Sequence, residues 1–259
     1  CLFEPDGSVY FNYRKPDIDT NDGWNAGGMH IEVLTPVERV RTQYDGKAVY
    51  LADPLHMTDP RRAFKENPWH DVHLDLIHEG VGPLYGHVGE EGDGNEFARA
   101  HYEQHMRVHG TLVIDGGRPH TLRGHGLRDH SWGPRYWQAT PSYRWITGNF
   151  GDDLGIILTT NGEGEGKGLF QKGDALERIE HVRIAPEYRE GTRFHSGLEA
   201  DITTETGAKH RLEGRVLGFI PLRNRRAGQH THIGEGMTEY RLDGERVGYG
   251  LSEFLDNEP

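Results

Sequence analysis

Glycine-containing turn dipeptides between short alternating segments most constrain what this chain can fold into. The sequence has 36 glycines among 259 residues, which is about twice the usual fraction of roughly 7%. Many of them stand in dipeptides such as Asp45-Gly46, Asp115-Gly116 and Asp243-Gly244. Asp-Gly and Asn-Gly pairs supply the positive φ angles that tight β-hairpins require. The sequence therefore predicts a series of antiparallel hairpins.

The segments between these turns alternate as half-buried strands do. In residues 106–114, the apolar side chains of Met106, Val108, Leu112 and Ile114 share one face, and mostly polar side chains occupy the other. This period of two is typical of a β-strand with one face against a core. The pattern predicts an all-β fold of antiparallel strands.

Helical patterns are scarce. The best one covers residues 58–65, where Asp59 is a suitable N-cap and Pro60 suits the first helical position. The glycine-rich segment 161–168 is predicted to be a flexible hairpin loop, because no helix pattern follows it and a dinucleotide-binding turn would need one. We therefore expect very little helix.

Charge and composition exclude several classes of protein. The formal net charge of −12 argues against a nucleic-acid partner, whose binding surface would be basic. Mean hydropathy is −0.76, and no apolar run approaches the roughly 18 residues of a membrane span. The single cysteine, Cys1, excludes an intrachain disulfide framework and any cysteine-based zinc site. No signal peptide is visible, and a cytoplasmic location is predicted.

The densest concentration of chemically useful side chains lies in residues 123–138. It contains the heptapeptide Asp129-His130-Ser131-Trp132-Gly133-Pro134-Arg135, followed by Tyr136 and Trp137. The simplest interpretation is an aromatic strand end in which Asp129 pairs with Arg128 or Arg135. The alternative interpretation is an acid–base site with an aromatic wall.

The heptapeptide resembles the Asp-His-x-Trp-Gly signature of the AttH/carotenoid 1,2-hydratase-like superfamily. Weaker matches to an uncharacterised bacterial branch lie at residues 102–105, 110–111 and 250–254, and the resemblance covers roughly residues 30–255. It implies two lipocalin-like antiparallel β-barrel halves, an N-terminal domain over 1–138 and a C-terminal domain over 139–259. Members of this superfamily include a hydratase of isolated alkenes and cyclases of polyketide products.

This resemblance and the residues together predict a metal-independent acid–base enzyme without a cofactor. It would be a hydratase or dehydratase, an isomerase or a cyclase, and its substrate an apolar isoprenoid, steroid or polyketide-like molecule. A carboxyl group in a partly apolar site donates a proton well, and aromatic faces stabilise a developing cation. Asp129 is the expected proton donor, His130 its partner and Tyr136 a hydrogen-bond donor. The expected substrate-binding residues are Trp132, Trp137, Trp145, His125 and His105.

Two other functions stay open. A lipocalin-like carrier would use the same aromatic cavity while Asp129 stayed paired and inert. A metal-dependent hydrolase or lyase would use the histidine cluster around His101, His105 and His109. Four-residue spacing on a strand separates two side chains by about 13 Å, which is too far for one ion, so no metal site is predicted unless residues on neighbouring strands complete it.

Overall fold

The structure is a computed structural model that describes residues 1–15, 24–88, 99–133, 136–161, 164–226 and 228–258. In these ranges the strands, in chain order, are β1 Leu2–Phe3, β2 Val9–Phe11, β3 Asn25–Ala26, β4 Met29–Thr35, β5 Arg39–Leu51, β6 Trp69–Gly80, β7 Tyr85–Val88, β8 Ala100–Ile114, β9 His120–Trp132, β10 Ser142–Asn149, β11 Leu154–Asn161, β12 Glu165–Lys172, β13 Ala175–Tyr188, β14 His195–Thr204, β15 Lys209–Arg226, β16 Gln229–Leu242 and β17 Arg246–Glu258. The helices are α1 Pro60–Glu66 and two 3-10 turns, Pro54–Thr58 and Trp137–Ala139. The predicted all-β fold with very little helix is confirmed.

The chain divides into two compact units. The first comprises residues 1–80 and 106–126. Its antiparallel sheet is curled like half a barrel and has β5 paired with β2, β4 and β6, while β6 also pairs with the second part of β8. Ala48, Val72 and Leu112 form a small core there, and the alternation predicted for residues 106–114 places Leu112 in it.

The second unit comprises residues 81–105 and 127–259. Strands β10 to β17 form a closed antiparallel barrel, in which β10 pairs with both β11 and β17. Large side chains without solvent exposure fill its interior, among them Ile146, Leu198, Leu212 and Tyr240. The domain boundary between residues 138 and 139 stays a prediction; the barrel begins at Ser142.

Each unit contains the same hydrogen-bonding arrangement at an Asp-Gly turn. Asp115 and Asp243 have positive φ angles of 50° and 53°, as the turn dipeptides predicted. The same prediction is wrong for Asp45-Gly46, which lies inside β5. Asp115 Oδ1 accepts the N–H of Asp71 at 2.8 Å, and its Oδ2 lies 2.6 Å from Nδ1 of His70. Asp243 does the same with the N–H of Arg211 and the ring of His210. The aspartate thereby ties its hairpin to the neighbouring strand in both units.

Two further predictions have different outcomes. Helix α1 begins as predicted, because the Asp59 side chain accepts the N–H of Arg62 at 3.3 Å and Pro60 occupies the first turn. The prediction of a loop over 161–168 is wrong for its second part, which belongs to β12, and residues 162–163 lie outside the described residues. A Cβ atom on Gly168 would lie 2.1 Å from the Ile157 carbonyl oxygen, so glycine there serves close strand packing.

Candidate functional site

Within the second unit, His101 on β8 lies between two carboxylates. Its Nε2 atom is 3.1 Å from Asp129 Oδ1 on β9 and 3.8 Å from Glu103 Oε1 on β8. His101 and Glu103 share a face of β8 because they are two residues apart. The three side chains form a compact group, which we call the His101 cluster, on one face of two strands.

Glu103 is the buried member of this cluster. Its side chain is 6% exposed, whereas that of Asp129 is 39% exposed. The indole N–H of Trp145, on β10 of the barrel, donates to Glu103 Oε1 at 2.8 Å. Burial raises the pKa of Glu103 above its usual value, and the charge of Asp129 adds to this, while His101 and the Trp145 hydrogen bond oppose it. Glu103 therefore holds its proton more strongly than an ordinary glutamate.

Residues on strand β7 extend the same face. Tyr85 is the β-sheet partner of Glu103, and His87 is the partner of His101, with 6.2 Å between the two imidazole centroids. Tyr85 is 43% exposed. An accessible aromatic ring therefore stands beside the buried carboxyl group.

The opposite face of β8 and β9 carries a separate aromatic group around Tyr102. His130 Nδ1 is 3.2 Å from the Tyr102 hydroxyl, and the Trp132 ring centroid lies 5.4 Å from that of His130 and 6.0 Å from that of Tyr102. The Arg128 guanidinium lies 4.9 Å above the Tyr102 ring. Burial, and then the charge of Arg128, lowers the pKa of His130. Because neighbouring strand residues point to opposite faces, Asp129 joins the His101 cluster and His130 joins Tyr102.

Tyr136 and Trp137 lie at the start of the segment that leads into the barrel. The Tyr136 hydroxyl donates to Gln229 Oε1 at 3.4 Å, and the Arg226 guanidinium lies 4.9 Å above its ring. The Trp137 carbonyl accepts a hydrogen bond from Asn257 Nδ2 at 2.7 Å. The contacts of these two residues are thus with β15, β16 and β17.

The other predicted binding residues divide between the units. His105 is buried in the second unit, with its Nδ1 atom 2.7 Å from Asn149 Oδ1. His125 is exposed and lies in the part of β9 that belongs to the first unit. Trp145 contacts the His101 cluster directly through Glu103. Arg135, the other arginine considered as a partner of Asp129, lies outside the described residues.

The prediction omitted His101 and Glu103 from the site. His101 entered the sequence-based prediction only in the histidine cluster of the metal alternative, and Glu103 only within the 102–105 match. A further signal is that His101, Glu103 and His105 share one face of a strand. The pairing of β8 with β9 that brings Asp129 to them is a long-range contact. Spacing along the chain does not reveal it.

The His101 cluster could also hold a metal ion. One imidazole nitrogen and one oxygen from each of Glu103 and Asp129 lie within 4.8 Å of one another. An imidazole with two carboxylates suits zinc, manganese or iron. The sequence predicted a metal site only if residues on a neighbouring strand completed it. Asp129 on β9 completes this group, in place of a second histidine.

A curled sheet followed in the chain by a closed eight-stranded barrel defines a tandem lipocalin-like β protein. Over residues 1–258 the sequence matches the family described as "Domain of unknown function (DUF7064)", and the chain belongs to this family. Comparison with curated protein sequences gives no match. Within the described residues, no helix is long and apolar enough to cross a membrane.

Among solved structures, an AttH-like protein from Nitrosomonas europaea is similar, with a TM-score of 0.54 and 16% identity over 85% of this chain. The chain spans 66% of the length of that protein. This likeness confirms the AttH-like resemblance at the level of the fold; the heptapeptide as the mark of a bacterial branch stays a prediction. Kievitone hydratase from Nectria haematococca has a TM-score of 0.40 at 12% identity, covering 84% of this chain and 83% of its own. CghA has a TM-score of 0.41 at 11% identity, covering 87% and 72%. These two likenesses are too weak to carry an argument.

Proposed function

We propose that this protein is an acid–base enzyme that acts on an apolar small molecule, as a hydratase or dehydratase, an isomerase or a cyclase. The observation that carries the proposal is the buried carboxyl group of Glu103. The His101 imidazole nitrogen lies 3.8 Å from it and 3.1 Å from the half-exposed carboxylate of Asp129. This arrangement supplies a proton donor inside the protein and a path by which the proton is replaced.

Glu103 is the proton donor in this proposal, and Asp129 restores its proton. A carboxyl group whose pKa is raised by burial is protonated closer to neutral pH and donates in the transition state. In a dehydration, Glu103 protonates the leaving hydroxyl group, the C–O bond breaks and water departs. The neighbouring carbon loses a proton to solvent, and its C–H electron pair forms the double bond. His101 then passes a proton from the Asp129 side, which is open to solvent, and hydration follows the same steps in reverse.

The aromatic side chains support an apolar substrate. Tyr85 is the cross-strand partner of Glu103, and the Trp145 indole N–H donates to that carboxyl group. Tyr85 is 43% exposed, so its ring is accessible to a ligand. Ring faces at this position would bind isoprenoid, steroid or polyketide-like molecules and stabilise a developing cation.

The test uses isotopic labelling, because any of these reactions moves a proton or a water molecule. Wild-type protein is incubated with an organic extract of its host in D₂O or in H₂¹⁸O, and mass spectrometry detects molecules that gain deuterium or ¹⁸O. We expect labelled products with the wild type, a loss of roughly 10²–10⁴-fold in Glu103→Gln, and no loss in the control Glu239→Gln. Equal labelling by wild type and Glu103→Gln contradicts the proposal, and an apolar molecule that is bound but returned unchanged favours a carrier.

A metal-dependent hydrolase or lyase is the second candidate, favoured by the ligand-like spacing of the His101 cluster. Its chemistry would use the ion to polarise an oxygen or to activate water. Isothermal titration with Zn²⁺ and Mn²⁺ separates the two functions. Stoichiometric binding that disappears in His101→Ala favours the metal enzyme, and turnover that persists in the presence of a chelator favours the metal-independent one.

A further inference from the structure

A second group of acidic side chains stands in the wall of the barrel. Glu235 on β16 and Glu253 on β17 are direct cross-strand partners, and a hydrogen bond joins their carboxyl groups. The hydroxyl of Tyr143, on β10, donates to Glu253 Oε1. Two carboxyl groups that are hydrogen-bonded to each other share a proton, because two adjacent negative charges repel.

The two glutamates have different roles in this pair. Glu253 accepts the Tyr143 hydrogen bond, which stabilises a negative charge on it. Burial raises the pKa of Glu235 well above its usual value, and the charge of Glu253 raises it further. Within the described residues, the buried Oε2 atom of Glu235 has no hydrogen-bond partner. Since a buried oxygen without a partner costs free energy, this atom points to a ligand group that bonds to it.

Trp145 connects this pair to the His101 cluster. Trp145 on β10 is the cross-strand partner of Glu253 on β17, which places their Cβ atoms about 4.5–5.5 Å apart. Its indole N–H bonds to Glu103. The neighbours of Trp145 and Glu253 along their strands, Ile146 and Phe254, belong to the barrel core. Trp145 and Glu253 therefore lie on the outer face of the barrel wall, with Glu103 beside them.

We propose that Glu235 and Glu253, beside Trp145, form the second acid–base group of the site, and that Tyr143 is its positioning residue. The inference rests on the proposed function. It adds that the substrate is an apolar molecule with two reacting positions, one at Glu103 and one at the Glu235–Glu253 pair. A reaction that removes a proton from one carbon and a hydroxyl group from the neighbouring carbon needs two such reacting positions.

The proton balance of such a dehydration is complete. Glu253 takes a proton from carbon, the C–H electron pair forms the double bond, and the C–O bond breaks as Glu103 protonates the departing hydroxyl group. Water leaves with the proton from Glu103. The carboxyl pair then releases one proton to solvent, and Glu103 regains one through His101 and Asp129.

The shared proton is testable without a substrate. Protein labelled with ¹³C at the glutamate carboxyl carbons is titrated by NMR, and Glu235→Gln and Glu253→Gln identify the two resonances. We expect one resonance of the pair to stay at the protonated position at neutral pH, and Tyr143→Phe to shift the ionisation of Glu253 to higher pH. Glu239 is the matched control. It lies on the same strand as Glu235 and accepts a hydrogen bond from the Tyr249 hydroxyl, but its carboxylate pairs with Arg215 instead of a second carboxyl group. Ordinary acidic titration of both Glu235 and Glu253 overturns the inference.

Turnover in the labelling assay tests the role of the pair. If the wild type is active, we expect Glu253→Gln to lose at least 10²-fold and Tyr143→Phe to shift the pH profile. Unchanged turnover in Glu253→Gln overturns the inference while leaving the proposed function standing. If the wild type introduces neither deuterium nor ¹⁸O into any molecule, the proposed function has failed. The acid–base role of the pair then fails with it, even where NMR finds the shared proton.

Discussion

Replacing Glu103 by glutamine should make the protein more stable at neutral and alkaline pH. Glutamine keeps the oxygen that accepts the Trp145 hydrogen bond and removes the charge that burial penalises. The pKa of Glu103 is raised above its usual value of 4.5 in the folded protein, chiefly by burial. The favourable contribution of this group to stability is therefore complete below pH 4.5 and is lost as the pH rises through the folded-state pKa.

The magnitude follows from that linkage. Each unit by which the folded-state pKa exceeds the unfolded value lowers the free energy of unfolding by about 1.4 kcal/mol once the group is ionised. For chains of this size, 1 kcal/mol corresponds to roughly 2–4 °C in melting temperature. For each such unit, Glu103→Gln should thus melt about 3–6 °C above the wild type at pH 8. At pH 4 the two proteins should melt at the same temperature.

Differential scanning calorimetry from pH 4 to pH 9 measures this difference. The matched control is Glu190→Gln, an exposed glutamate between β13 and β14, whose melting temperature should follow the wild type at every pH. The reasoning is refuted if Glu103→Gln melts at or below the wild type at pH 8, because Glu103 would then be a stabilising carboxylate rather than a strained proton donor. A difference that does not vary with pH would also contradict the role of its charge.

Three other changes have definite expected outcomes. Asp129→Asn should keep its melting temperature within a few degrees and lose roughly 10²–10⁴-fold of turnover, whereas a merely structural partner of His101 would leave turnover per folded molecule unchanged. Trp145→Phe removes the donor to buried Glu103 and should cost about 1–3 kcal/mol in urea unfolding at pH 7, with less effect in the Glu103→Gln background. Burial lowers the pKa of His195 to about 4, so its contribution is present above pH 6.5 and is lost as the pH falls towards 4. Over that range the free energy of unfolding, measured in urea, should fall by about 3 kcal/mol more in the wild type than in His195→Gln.

The sequence alone determined the fold class and its local devices. Asp-Gly dipeptides predicted turns, correctly at Asp115 and Asp243, whose φ is positive, and wrongly at Asp45-Gly46, which lies inside β5. The alternation over 106–114 and the N-cap Asp59 were readable for the same reason, since turns, strand faces and helix starts depend on neighbouring residues. The segment 161–168 shows the limit of such reading: Gly168 is set by the approach of the Ile157 carbonyl group from another strand.

Only the tertiary structure decided which residues form the candidate site. The motif placed Asp129 beside His130 in the chain, yet strand alternation sends them to opposite faces, where His101 and Tyr102 receive them. Glu103 gains its chemistry from burial and from Trp145, 42 residues away along the chain. A carboxyl pKa depends on the solvent and charges that surround the group in space. Strand pairing over long sequence separations determines those surroundings, and local spacing carries no record of it.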